Sequence, residues 1–319
     1  MNILNSYINK KIDNYLSEIG SSVSNDSNTS SKVDICIDSF KGGGFTSKEN
    51  FYILNKLLEK GFLKIVIPSV LIIRLRESLI RNIKDRLFSD ESILAGYSIP
   101  ITQYLNVNDL RILRDLGSFL CRQECIKRYI FMPSIVGLEA SYSRFSSASK
   151  PTHAFLWHRD ADCHLNQLKL MIPLVECEEV NGMFSVISRE ACNRENIFRD
   201  LELCHRYELI SNDDYRRSDY LYRLSDKTAR NCISSEYFYD FENKIGEALI
   251  VDTNNCYHKG GLVTLEGKFR LLIQITLGSF IHTWHEDKFN LMKKMRISAT
   301  EYVVKRVPVR GINDVFIGN

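Results

Sequence analysis

GEALIVDTNNCYHKGGLVTLEGKFRLLIQITLGSF, residues 246–280, holds two short apolar runs split by a polar, turn-rich segment. Such runs read as strands bounded by turns. The second run, Phe269–Leu277, alternates: Arg270, Leu272, Gln274 and Thr276 share one face, and Phe269, Leu271, Ile273, Ile275 and Leu277 share the other. Towards the N-terminus the same texture continues through MFSVIS (183–188), QLKLMIPLVE (167–176), HAFLWHRD (153–160) and IVGLEASYSRF (135–145). Short strands at this density predict a sandwich or a barrel.

Before Tyr129 the pattern is helical. Residues 50–60 suit a helix ending at Gly61, Phe62–Ile67 a short strand stopped by Pro68, 69–88 a helix capped by Ser69, and Asn108–Ile126 a further helix. Helices followed by strands give an α+β fold. Residues 1–32 read as an N-terminal helix and a Ser/Asn-rich connector (SSVSNDSNTSSK, 21–32), and 33–319 as a single domain. Within that domain 33–130 is a mainly helical flank, 131–285 the strand-rich core and 286–319 a C-terminal extension. The charged, Tyr- and Arg-rich stretch of about 189–245 is too long for a hairpin connection and reads as a lid or a small helical insertion.

The 319 residues are 44% hydrophobic and 25% charged, ordinary for a globular chain with a sizeable core. With 42 basic against 39 acidic residues the formal net charge is only +3, and no dense basic block stands out, which argues against nucleic acid as the partner. The nine cysteines form no CxxC pair and no disulfide framework, and most read as buried thiols in a reducing compartment. The most apolar stretch, Phe62–Leu75, is broken by Lys64, Pro68 and Arg74 and cannot span a bilayer. These features predict a cytoplasmic protein with a small-molecule partner and no membrane association.

The chemistry concentrates in Trp157-His158-Arg159-Asp160. In an extended segment His158 and Asp160 point the same way, with Cα atoms roughly 6–7 Å apart, a span that two side chains can close onto one ion. His258, beyond the strand Ala248–Val251 and its turn, supplies a third candidate ligand. Two imidazoles and a carboxylate on one octahedral face leave adjacent positions open, as a non-haem Fe(II) oxygenase requires. Arg270, twelve residues past His258, starts an apolar strand, where a guanidinium needs an anion. A structural salt bridge meets that need, and so does the distal carboxylate of a dicarboxylate gripped in bidentate fashion.

Taken together, WHRDAD (157–162), KLMIPLVE (169–176), NGMFSVIS (181–188), GEALIVDTNNCYHKGG (246–261) and FRLLIQITL (269–277) resemble the phytanoyl-CoA dioxygenase family, over roughly residues 130–280. The resemblance implies a double-stranded β-helix (jelly-roll, cupin-like) core with N-terminal helices and a lid insertion. It also implies Fe(II) held by His158, Asp160 and His258, 2-oxoglutarate anchored by Arg270, and O2 as second cosubstrate. The chain departs from the family where Asn181-Gly182-Met183 stands for Asn-Gly-Pro and Ile187-Ser188-Arg189 for Gly-Ser-His. Related halogenases replace the ligand carboxylate with a small residue; Asp160 is retained here, which implies hydroxylation or another oxidation.

Further candidates follow from position. Lys169, among Leu168, Leu170, Met171 and Ile172, must carry its ammonium out to solvent or to an internal carboxylate. Gln274 shares the face of Arg270, and Tyr142 and Arg144 lie on a strand that is a candidate to point into the barrel; Lys169, Arg144 and Gln274 are therefore candidates for cosubstrate binding. Tyr142, Trp157, Asp162, His164 and Arg217 are candidates for substrate contact. Two other classes use the same features: a zinc hydrolase with the same three ligands, and a non-catalytic binding protein on an oxygenase fold.

Overall fold

The computed structural model describes residues 35–37, 43–87, 98–145, 155–160, 167–192 and 224–279. Past the two-residue strand β1 (Ile35–Cys36), helix α1 (Ser47–Glu59) starts at a capping box. Thr46 accepts the Glu49 backbone N–H, and the Glu49 carboxylate accepts that of Thr46. Gly61, at φ 76°, turns the chain out of the helix into β2 (Phe62–Val66). A Cβ at Gly61 would lie 2.2 Å from Cys256 Sγ, so only glycine fits there. Helix α2 (Ser69–Leu87) and strand β3 (Ile99–Pro100) follow.

The sequence pattern predicts one helix over 108–126, but the chain forms two, α3 (Val107–Arg122) and α4 (Glu124–Tyr129). At Gln123 ψ opens to 139° and its side chain replaces helical bonds, donating to Phe119 O at 2.8 Å and accepting the Phe45 N–H at 2.7 Å. Strands β4 (Pro133–Arg144), β5 (Gln167–Pro173), β6 (Phe184–Ile187), β7 (Phe238–Phe241), β8 (Glu247–Val251), β9 (His258–Gly260) and β10 (Phe269–Ser279) make the rest, with helix α5 (Asp226–Cys232) before β7.

The large sheet runs β1-β2-β8-β5-β10-β4-β3 and the small one β7-β6-β9. Beyond β9 the small sheet gains residues 157–158, because His158 pairs with His258 through two main-chain bonds, of 3.0 and 2.8 Å. From β4 onward the chain passes large, small, large, small, small, large, small, large. That alternation between facing antiparallel sheets is a jelly roll.

Two apolar layers hold it together. Leu271, Ile273, Ile275 and Leu277 face α1–α4 with Leu168, Leu170, Ile172, Ala248 and Ile250. On the other face of the same strands Met171, Leu249, Val251 and Leu272 meet Phe184, Val186 and Phe241 of the small sheet. Each fully buried Leu or Ile contributes roughly 1.5–3 kcal/mol.

The stretch expected as an insertion over about 189–245 is core at its C-terminal end, where Leu224 pairs with Trp157 and β7 pairs with β6. Residues 193–223 lie outside the described residues. The predicted N-terminal helix and connector (1–32) and the C-terminal extension (286–319) also lie outside the described residues. Cys125, Cys177, Cys192 and Cys256 are buried thiols, as expected. Among the described residues no helix is long and apolar enough to cross a membrane.

Candidate metal centre and carboxylate site

The His158–His258 main-chain pair fixes both imidazoles on one side of the small sheet, with ring centroids 4.3 Å apart. Asp160, two residues on, shares the side of His158, and its N–H is tied to Thr253 O at 2.9 Å. The three residues each offer a ligand atom, all within 4.8 Å of one another. Backbone carbonyls orient both rings. Nδ1 of His158 lies 2.7 Å from Leu156 O and Nδ1 of His258 3.2 Å from Cys256 O. An Nδ1–H donated to a carbonyl leaves the neutral ring its lone pair on Nε2, the usual arrangement behind a metal-bound histidine.

The turn that delivers His258 is built on the buried Asp252. Its Oδ1 accepts the backbone N–H groups of Asn254 (3.1 Å) and Asn255 (3.0 Å), and its Oδ2 accepts from the Asn255 side chain (2.7 Å) and the Tyr129 hydroxyl. This is an Asx turn locked from outside by the end of α4. Residues three to six positions before the ligand thus decide where its ring points.

Burial draws the His258 pKa down from 6.5 to about 3, helped by neighbouring His158 and outweighing the opposite pull of Asp160. The ring is neutral at pH 7, the state a metal ligand needs. Burial pushes the Asp160 carboxyl up, but the positive charge of His258 and of Lys169 outweighs it and holds the group well below the usual carboxylate range. With His258 neutral at pH 7, the standing cation is Lys169, whose Nζ is 2.6 Å from Asp160 Oδ2. The other oxygen, Oδ1, is 3.9 Å from His258 Nε2. Phe184 lies against the His258 ring at 5.7 Å and excludes water from that flank.

Arg270 lies on the inter-sheet face of β10 and is only 6% exposed. Its Nη1 donates to Gly182 O (2.8 Å) and Gly261 O (3.1 Å), and its Nη2 to Ser143 Oγ (3.3 Å). Its buried Nε has no hydrogen-bond partner, and no carboxylate pairs with it among the described residues. Burial alone draws its pKa down. A buried guanidinium held only by neutral acceptors is an anion site. The space for it is made by Gly260, where a Cβ would stand 2.9 Å from Nη1. Gly260 and His258 are two apart on β9, so the guanidinium sits roughly 6–7 Å along the strand from the metal ligands' side. A short dicarboxylate spans that distance.

The remaining candidates divide. Lys169 faces the site, opposite Thr276 and Val251, and its ammonium meets the ligand carboxylate rather than solvent. Gln274 is half-buried on the face of Arg270. Tyr142 and Arg144 need correcting. The register pairs Arg270 with Ser143, so alternation turns both neighbours of Ser143 to the opposite, helix-facing side. There Tyr142 stacks on Phe269 at 5.8 Å. Ser143, which the sequence reading passed over, is the residue that touches Arg270. Trp157 is fully buried and its indole N–H donates to Asp226 at 2.8 Å, a core setting rather than a substrate-facing one. Asp162, His164 and Arg217 lie outside the described residues.

No family model and no curated protein matches the chain. Among solved structures it is similar to HygX from Streptomyces hygroscopicus with nickel and 2-oxoglutarate bound, at TM-score 0.47 and 15% identity over 74% of this chain and 88% of that one. It is also similar to the non-heme alpha-ketoglutarate-dependent epimerase SnoN from nogalamycin biosynthesis (TM-score 0.44, 11% identity, 73% and 84% covered). The carbocyclase SnoK from the same biosynthesis gives TM-score 0.45 and 13% identity, with 75% and 87% covered.

Proposed function

We propose that the protein is an Fe(II)- and 2-oxoglutarate-dependent oxygenase that hydroxylates, or otherwise oxidises, a small molecule. One observation carries the reading: a His/Asp/His cluster on the small sheet and, on the large sheet, a buried guanidinium without a carboxylate partner among the described residues face the same inter-sheet space, roughly one short dicarboxylate apart along β9. The donor set fits ferrous iron, because neutral imidazoles and one carboxylate hold it without saturating it. A zinc hydrolase would use the same three ligands and leave the buried charge of Arg270 unanswered. A binding protein has no need of three oriented ligands.

When bound, iron supplies oxygen activation, and 2-oxoglutarate supplies two electrons by decarboxylation to succinate and CO2. The chain's own residues bind and position. His158 and His258 present Nε2, Asp160 presents Oδ1, and Arg270 with Ser143 receives the distal carboxylate. Phe184, Met171 and Leu272 belong to the buried apolar cluster between the sheets, and Phe184 covers the His258 ring. Because Asp160 retains its carboxylate, the expected product carries oxygen and not chlorine.

Anaerobic addition of Fe(II) and then 2-oxoglutarate should produce a weak visible charge-transfer band, and metabolite pools containing the substrate should stimulate succinate release. Failure of the band to form with stoichiometric iron would sink the oxygenase reading. A chlorinated main product, found by mass spectrometry when chloride is supplied, would overturn the hydroxylase outcome.

A further inference from the structure

Lys169 reaches across the fold. It sits on β5 of the large sheet, between Val251 and Thr276 on the neighbouring strands, and its Nζ ends 2.6 Å from Oδ2 of Asp160, which follows the small-sheet segment 157–158. The other inter-strand lysine pair, Lys64 with Glu247 at 2.7 Å, stays within the large sheet between adjacent strands β2 and β8. Among the described residues the Lys169 pair is the lysine pair that uses the carboxylate of the metal cluster, and it uses one oxygen of the two. Oδ1 remains on the side of His258, 3.9 Å from Nε2.

We propose, resting on the oxygenase reading above, that Lys169 is a positioning residue that holds Asp160 to ligation through Oδ1 alone. The consequence is a matter of counting positions on an octahedral ion. Two imidazoles, one carboxylate oxygen and a chelating cosubstrate fill five, and the sixth is left for O2. A carboxylate that swings Oδ2 onto the metal fills the sixth. Lys169 prevents the swing by engaging Oδ2 itself, and Thr253, which binds the Asp160 backbone N–H at 2.9 Å, limits rotation from the other end.

The test uses the whole protein loaded anaerobically with Fe(II) and 2-oxoglutarate, with nitric oxide as the probe of the sixth position, followed by electron paramagnetic resonance. Lys169→Met should keep the charge-transfer band, with cosubstrate affinity within about threefold of wild type, and should weaken nitric oxide binding at least about tenfold, one unit of RT ln 10. Lys169→Arg, which restores a cation, should recover it. Wild-type nitric oxide affinity in Lys169→Met overturns the proposal. If Lys169→Met does not fold, a crystal structure of the wild-type protein with Fe(II) decides: Oδ2 still on Lys169 supports the assignment, and Oδ2 on the metal overturns it. Absence of the band in the wild type defeats the oxygenase reading instead, and that same metal-bound structure then judges Lys169.

Discussion

At the scale of single residues, Arg270 and His258 make separable demands. Arg270→Ala removes a buried cation from the carboxylate subsite and leaves the three candidate metal ligands untouched. Truncating one partner of a buried charge pair costs about 2–5 kcal/mol, so 2-oxoglutarate affinity, read from the charge-transfer band, should fall by roughly 30- to 5,000-fold. Arg270→Lys should recover little of this, because a point charge cannot reproduce a fork aimed by Gly182, Gly261 and Ser143. His258 governs pH behaviour instead. Its pKa in the fold is drawn down from 6.5 to about 3, so over that window the unfolded chain binds a proton that the native state refuses. Stability of the metal-free protein should therefore fall as pH drops from 6.5 towards 3. Asp160, held below its ordinary value, adds a loss of the same sign below that value. Denaturant midpoints between pH 7 and 4 should decline more steeply for wild type than for His258→Gln; equal slopes would remove His258 as the source.

At the scale of elements, β9 is three residues long and carries both a ligand and a void. Gly260→Ala places a Cβ 2.9 Å from Arg270 Nη1, so the guanidinium must shift to make room. We expect cosubstrate affinity to fall by at least about tenfold, with the melting temperature close to wild type, since a misplacement of this size near a site costs up to 10²-fold. Gly61→Ala should behave in the opposite way. Its Cβ meets Cys256 Sγ at 2.2 Å at a φ of 76°, so stability should drop by about 1–3 kcal/mol, and Gly61→Ala/Cys256→Ala should regain part of it. The strands that carry these features were legible in the sequence wherever an apolar run stood between turns, as in β5, β8 and β10. Strand β7 was not: Phe238–Phe241 is mostly half-buried or exposed and follows a charged stretch, so its pairing with β6 is set by tertiary contact. The candidate ligands His158 and Asp160 were legible as a pair because a spacing of two in an extended segment fixes direction. Tyr142 and Arg144 were misplaced because the face of a long strand depends on register, and one residue of register reverses it. For Lys169 the chain left two outcomes open, solvent or an internal carboxylate, and no pattern in it announces that the partner is Asp160.

At the scale of the whole molecule, β10 is the shared wall of both apolar layers, with Ile273 facing the helices and Leu272 facing the small sheet. Ile273→Ala should cost about 2–5 kcal/mol in equilibrium unfolding, and the site should weaken with it, because Arg270 rides on the same strand. Metal should act in the other direction. A cation that binds only the folded cluster at 100 times its dissociation constant adds about 2.7 kcal/mol, so ferrous iron or a redox-inert substitute should raise the melting temperature of wild type and leave that of His158→Ala unmoved.

The main-chain bonds that join His158 to His258 also bear on how the protein is made. A ribosome that has delivered Asp160 has released two ligands with nothing to assemble them, and the third follows about a hundred residues and roughly 5–20 s later. The nascent chain therefore offers no preformed trap for copper or zinc during synthesis. A three-ligand cluster can exist only after the strand that carries His258 has been made.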